Sequence, residues 1–174
     1  SDLLDRMETG SSSDTPVLAL TFDDGYRSIC DTILPICCEL NIPFTAFICA
    51  DAVSGESALW YDRVTYAAGA LSPQQLLKYW DLHGVRAQTT RDVLSALKSL
   101  QLDRVLAGVE RLESDQGVDK REIAGKYMNL EALKKICVDP MVTIGTHTCR
   151  HPILSTLMEE DQYAEIARCA ELVS

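Results

Sequence analysis

Two short apolar runs, "VLALTF" at 17–22 and "IPFTAFICA" at 42–50, flank a stretch in which Ile29, Ile33, Ile36 and Leu40 recur at helical spacing. Runs of this length, bounded by Pro16 and Gly25 and entered through Pro43, predict two buried strands with a helix over 26–40 between them. Pro35 is expected to bend or weaken that helix, because it supplies no backbone N–H. A strand, helix and strand of these lengths leave little topological choice: a βαβ unit with a parallel pair. "MVTIGTH" at 141–147 returns to strand character, and 155–173 predicts a final amphipathic helix. The fold class is therefore α/β.

Between the second and third strands the chain changes character, and a helical insertion is expected over about 55–137. Ser72 with Pro73 makes a helix start, and Thr89 with Asp92 resembles a capping box. Leu102, Val105, Leu106, Val109 and Leu112 form one apolar stripe, and Asn129 precedes a short helix carrying Leu130, Leu133 and Ile136. Upstream, 1–8 predicts the tail of a helix and "TGSSSDTP" at 9–16 a linker. The domain proper is then expected over 17–174.

Charge and composition narrow the partners. A net charge of −10 argues against nucleic acid and against an anionic membrane surface. No apolar run reaches the ~18 residues of a membrane span. The sequence opens on Ser1 rather than methionine, so the lack of a signal peptide carries no weight. Seven cysteines, at 30, 37, 38, 49, 137, 149 and 169, show no C-x-x-C spacing. They are expected to be reduced, buried and inert, which leans toward a reducing compartment, with an exported or cell-surface location as the alternative.

Two polar clusters carry the chemistry. Asp23 and Asp24 follow the first strand directly. Like charges there repel, and burying either without a partner is costly. They fit a water-facing turn, or a site where a cation relieves the repulsion. "GTHTCRHP" at 145–152 ends the third strand and sets His147 and His151 four residues apart. That spacing suits a polar loop bonded to backbone, or two imidazoles offered to one metal ion. Both clusters follow strands of one parallel sheet, where sites gather at the carboxyl ends, so the two should meet. Two histidines and a carboxylate make a facial set with positions left open.

"TFDDG" followed by H-[ST]-x-x-H-P resembles the polysaccharide deacetylase family, also called the NodB-homology domain or carbohydrate esterase family 4. "IPFTAFI" is similar to the family's second strand, and "LWYDRV" resembles a helical insertion of some longer members. The resemblance covers nearly all of 14–173. It implies a distorted (β/α)7 barrel, present here in part and interrupted by the insertion. Asp23 matches the general base, and Asp24, His147 and His151 match the metal ligands. Thr148 matches a hydroxyl that steadies the histidine loop. The implied ion is Zn²⁺, which acidifies water and stabilises an oxyanion. The implied substrates are N-acetylated amino sugars in glycans, less often O-acetyl esters.

The chain also departs from the family, since neither the arginine motif nor the later general-acid histidine is found in it. It is therefore expected to be the opening part of a longer enzyme, with an exposed barrel edge that leaves it marginally stable, prone to self-association or dependent on the missing segments. A non-catalytic metal- or glycan-binding domain is the alternative. An aspartyl-nucleophile phosphatase would need a D-x-D pattern that "FDDGYRS" lacks. Tyr26 stands where the family often has proline, and no effect is expected of it. Arg150 is read as a solvated charge or a glycan contact, and His83 as a surface residue. Trp60, Tyr61, Tyr79 and Trp80 are read as helix packing or as stacking surfaces for sugar rings.

Overall fold

The computed structural model describes residues 8–9 and 18–173. The expected helix tail over 1–8 and linker over 9–16 lie outside the described residues, apart from Glu8 and Thr9, which are helical.

Strands β1 (Leu20–Phe22), β2 (Phe44–Ile48) and β3 (Val142–Thr146) form a parallel sheet in the order β1-β2-β3. Leu20 lies opposite Phe44, and Phe44 opposite Val142. The residues that follow β1 and β3 thus emerge at the same end of the sheet. β2 is central, and its Phe44, Ala46 and Ile48 are buried. Phe22 meets Phe44 edge to face, with centroids 5.4 Å apart.

β1 corrects the expectation of a buried strand over 17–22. Leu18, before the strand, is 88% exposed and Leu20 38% exposed; among the described residues β1 has a neighbour, β2, on one side only. The helix expected over 26–40 opens as a π-turn over Ile29–Ile33, where the Leu34 N–H reaches back to the Ile29 carbonyl. It continues as α1 (Leu34–Leu40), with Pro35 in the first turn. The proline supplies no N–H where the winding changes from π to α, and the helix runs on through it without breaking. Ile29 and Cys37 pack with Phe44, Ala46 and Ile48 in the core beneath the sheet.

Helices fill the stretch between β2 and β3. They are α2 (Ala50–Ser54), α3 (Trp60–Ala68), α4 (Pro73–Leu76), α5 (Thr90–Leu97), α6 (Leu102–Gln116), α7 (Lys120–Ala124) and α8 (Leu130–Cys137); α9 (Glu159–Val173) follows β3. No described helix is long and apolar enough to cross a membrane. Local signals set these boundaries. Ser72 and Gln75 form a capping box before Pro73, Thr89 and Asp92 form another, and Asn129 accepts the Ala132 N–H.

The apolar stripe of α6 packs with α3, α4 and α5 into a second core, separate from the one under the sheet. Its centre is Trp80, fully buried, whose indole N–H donates to the Val105 carbonyl at 2.9 Å. Gly108 admits that ring: a Cβ there would fall 2.1 Å from the indole nitrogen. Gly108→Ala is therefore expected to destabilise the protein by about 1–3 kcal/mol through overpacking, read as a lowered denaturation midpoint. An unchanged midpoint would show that Trp80 has room to move.

The same helices are bolted by charge. Arg63 on α3 donates from Nε and Nη2 to the two carboxylate oxygens of Glu113 on α6, at 2.7 and 2.8 Å, with both residues buried. Lys120 adds a contact to Glu113 at 3.3 Å. The cysteines are only partly as expected: Cys37, Cys49, Cys149 and Cys169 are buried, but Cys38 and Cys137 are exposed. Helical spacing decided their fate, since a cysteine in an apolar stretch still faces water when it lies off the packed side.

Candidate active site

The end of β2 joins the two motif loops. The Cys49 N–H donates to the Asp24 carbonyl at 3.4 Å, tying down the first loop. The Ala50 and Asp51 N–H groups, free at the start of α2, donate to the Thr148 and Cys149 carbonyls at 3.1 Å each. The His147 N–H prolongs the β2–β3 ladder to the Ile48 carbonyl at 2.8 Å. Asp24 and the histidine loop, far apart in sequence, are thereby placed side by side.

Asp24, His147 and His151 each offer one ligand atom, all within 4.8 Å of one another. Asp24 Oδ1 lies 3.6 Å from His147 Nε2 and 3.5 Å from His151 Nε2. That oxygen is buried and accepts no hydrogen bond from any described residue. Such an atom is expensive to leave unpaired, and three convergent donors of this kind suit a divalent cation. Burial holds His151 below the ordinary histidine value; the Asp24 charge opposes this and His147 reinforces it. A neutral imidazole is the form that has a lone pair to give.

The backbone here is tight. Five described non-glycine residues lie in the left-handed region, and three of them, Asp24, Thr148 and His151, belong to this site. Such conformations cost on the order of 1–3 kcal/mol each and persist only where surrounding contacts enforce them. Gly25, at φ +86°, lets the first loop turn against Val53. Thr148 Oγ1 accepts the His151 N–H at 3.1 Å, so the threonine does brace the histidine loop. Asp23 lies exposed beside Asp24.

Several residues depart from their sequence reading. Arg150 is no free charge, because its Nε donates to buried Glu165 of α9 at 2.6 Å. Glu165 also accepts the Cys149 and Arg150 N–H groups at 2.9 and 3.0 Å, anchoring the loop between the two histidines. Trp60 and Trp80 are buried in the helical core, as the packing reading expects. Tyr61, however, reaches the site and donates its hydroxyl to Asp24 Oδ2 at 2.6 Å. Tyr26 is not without effect: it stacks on Tyr127, with centroids 5.1 Å apart, and donates to Asp62 at 2.8 Å. His83 is exposed, 4.0 Å from Asp81.

The fold and site define a parallel α/β chain whose strand ends carry an Asp/His/His set that could hold a metal ion. The particular family is settled by comparison: a polysaccharide deacetylase profile matches residues 10–174, and the chain belongs to that family. The family is typically metal-dependent and points to a carbohydrate deacetylase, a hydrolase acting on an acetylated glycan. No curated protein and no solved structure matches the chain.

Proposed function

We propose that this chain is a metal-dependent deacetylase that hydrolyses acetyl groups, chiefly N-acetyl groups on amino sugars, from poly- or oligosaccharides. The observation that carries the reading is the buried, unpartnered Oδ1 of Asp24 facing two imidazole nitrogens. Asp24, His147 and His151 would hold the ion, with Zn²⁺ the best match to two nitrogens and one oxygen. When bound, such an ion supplies positive charge that polarises the acetyl carbonyl and acidifies water. On family grounds we place the three strands in a distorted (β/α)7 barrel of the NodB type, interrupted by the helical insertion at about 55–137.

The residues divide the labour. Asp24 is committed on both oxygens, one to Tyr61 and one toward the histidines. Asp23, exposed next to it, is free to accept the proton of the water that attacks the acetyl carbon. The proton held by Asp23 passes to the amide nitrogen as the carbon–nitrogen bond breaks, giving acetate and an amine. Thr148 and Glu165 hold the histidine loop while this happens.

The test is acetate release from an N-acetylglucosamine oligomer in the presence of Zn²⁺. Asp23→Asn is expected to keep zinc affinity yet slow release by about 10²–10⁴-fold, because only the proton acceptor is lost. Asp24→Asn should weaken zinc itself. Equal loss of zinc in both variants would refute the division. A second reading, a metal-holding domain without turnover, draws on the histidines: of three in the sequence, two belong to the site and His83 is exposed beside Asp81. Zinc binding by wild type without acetate release would favour it.

A further inference from the structure

Three successive residues of the first turn of α3 each grip a different part of the site. The Trp60 indole N–H donates to the His151 carbonyl at 3.2 Å. Tyr61 donates to Asp24 Oδ2 at 2.6 Å, and its ring stands edge-on to the His151 ring, with centroids 5.3 Å apart. Asp62 accepts the hydroxyls of Tyr26 and Tyr127 and pairs with Lys126 at 3.6 Å. The Arg27 N–H donates to the Lys126 carbonyl at 2.8 Å, and the Met128 N–H to the Gly25 carbonyl at 3.0 Å. The turn after Asp24 is thus clamped to the helical insertion on both flanks.

We propose that Tyr61 is a positioning residue of the metal site. Its hydroxyl occupies one oxygen of Asp24, so that the carboxylate presents Oδ1 alone to the ion. This rests on the metal reading above and deepens it: the helical insertion supplies a working part of the site. A carboxylate free to rotate loses its aim, and a partner that fixes a ligand in this way typically accounts for about 10–100-fold in metal affinity.

Tyr61→Phe removes the hydroxyl and keeps the ring against Trp60 and His151. Zinc titration by calorimetry is expected to show about 10–100-fold weaker binding than wild type, while the metal-free variant melts at the wild-type temperature. Absorption of bound Co²⁺ gives a second readout, expected to shift because both Asp24 oxygens become available to the ion. Equal zinc affinity and an unchanged cobalt spectrum would overturn the proposal and leave the metal reading standing. A metal-free melting temperature lowered in proportion to the lost affinity would also overturn it, by showing a purely structural role. Failure of wild type to bind zinc or cobalt would instead remove the metal reading, and this proposal with it.

Discussion

His147→Ala is expected to abolish stoichiometric zinc binding and to lower acetate release by about 10³-fold or more. The magnitude follows from the several kcal/mol that a metal ion contributes to stabilising developing charge, at about 1.4 kcal/mol per tenfold in rate. Asp24 would then face His151 alone across 3.5 Å, and two donors make a poor site. His147 is half-buried on the last ladder bond of β3, so the fold should survive the change. Calorimetry with Zn²⁺ checks the binding, and an acetate assay checks the rate. Wild-type zinc affinity in the variant would show that the ion, if bound, sits elsewhere.

The largest effect on stability is expected from Arg63→Ala. The change strands the Glu113 carboxylate, 3% exposed, without its bidentate partner, and breaking a buried pair in this way costs about 3–5 kcal/mol. For a chain of this size that is about 6–20 °C in melting temperature. A double change to Arg63→Met and Glu113→Leu should recover most of the loss, since the stranded charge is the main penalty. The pair also has a pH signature. Burial pushes Glu113 up, but the Arg63 hydrogen bonds and the Arg63 and Lys120 charges outweigh it and hold the carboxyl below its ordinary 4.5. A carboxyl with a depressed folded value stabilises the fold fully above its unfolded value and less as pH falls through the folded one. The wild-type advantage over the double variant should therefore shrink as pH falls below about 4.5. An advantage independent of pH across that range would contradict this account.

The strands and the candidate donor loops were legible because each depends on neighbours close in sequence. β2 announces itself through "FTAFI", and His147 and His151 lie within one loop. Capping residues behaved the same way, with Ser72, Thr89 and Asn129 each finding an amide within a few residues. What escaped was set by long-range packing. The exposure of β1 depends on its place at the sheet edge, which "VLALTF" does not encode. Tyr61 reads as one aromatic among several; its role comes from a carboxylate 37 positions away. Glu165 likewise looks like one acid on an amphipathic helix until α9 lies over the histidine loop. The tyrosine and acid of "WYDR", side by side in a first turn, were the one local sign that this turn had polar work to do.

The two separate cores make the site a point of thermodynamic linkage. Asp24 rises from the sheet, whereas the hydroxyl that holds it belongs to a body organised around Trp80. Any local opening of that helical body withdraws Tyr61 and releases Asp24. By reciprocity, whatever fixes Asp24 in place must oppose that opening by the same free energy. If Asp24 holds an ion as proposed, the helices around Trp80, joined to the site only through the first turn of α3, would report its arrival, their protection against hydrogen exchange rising with occupancy.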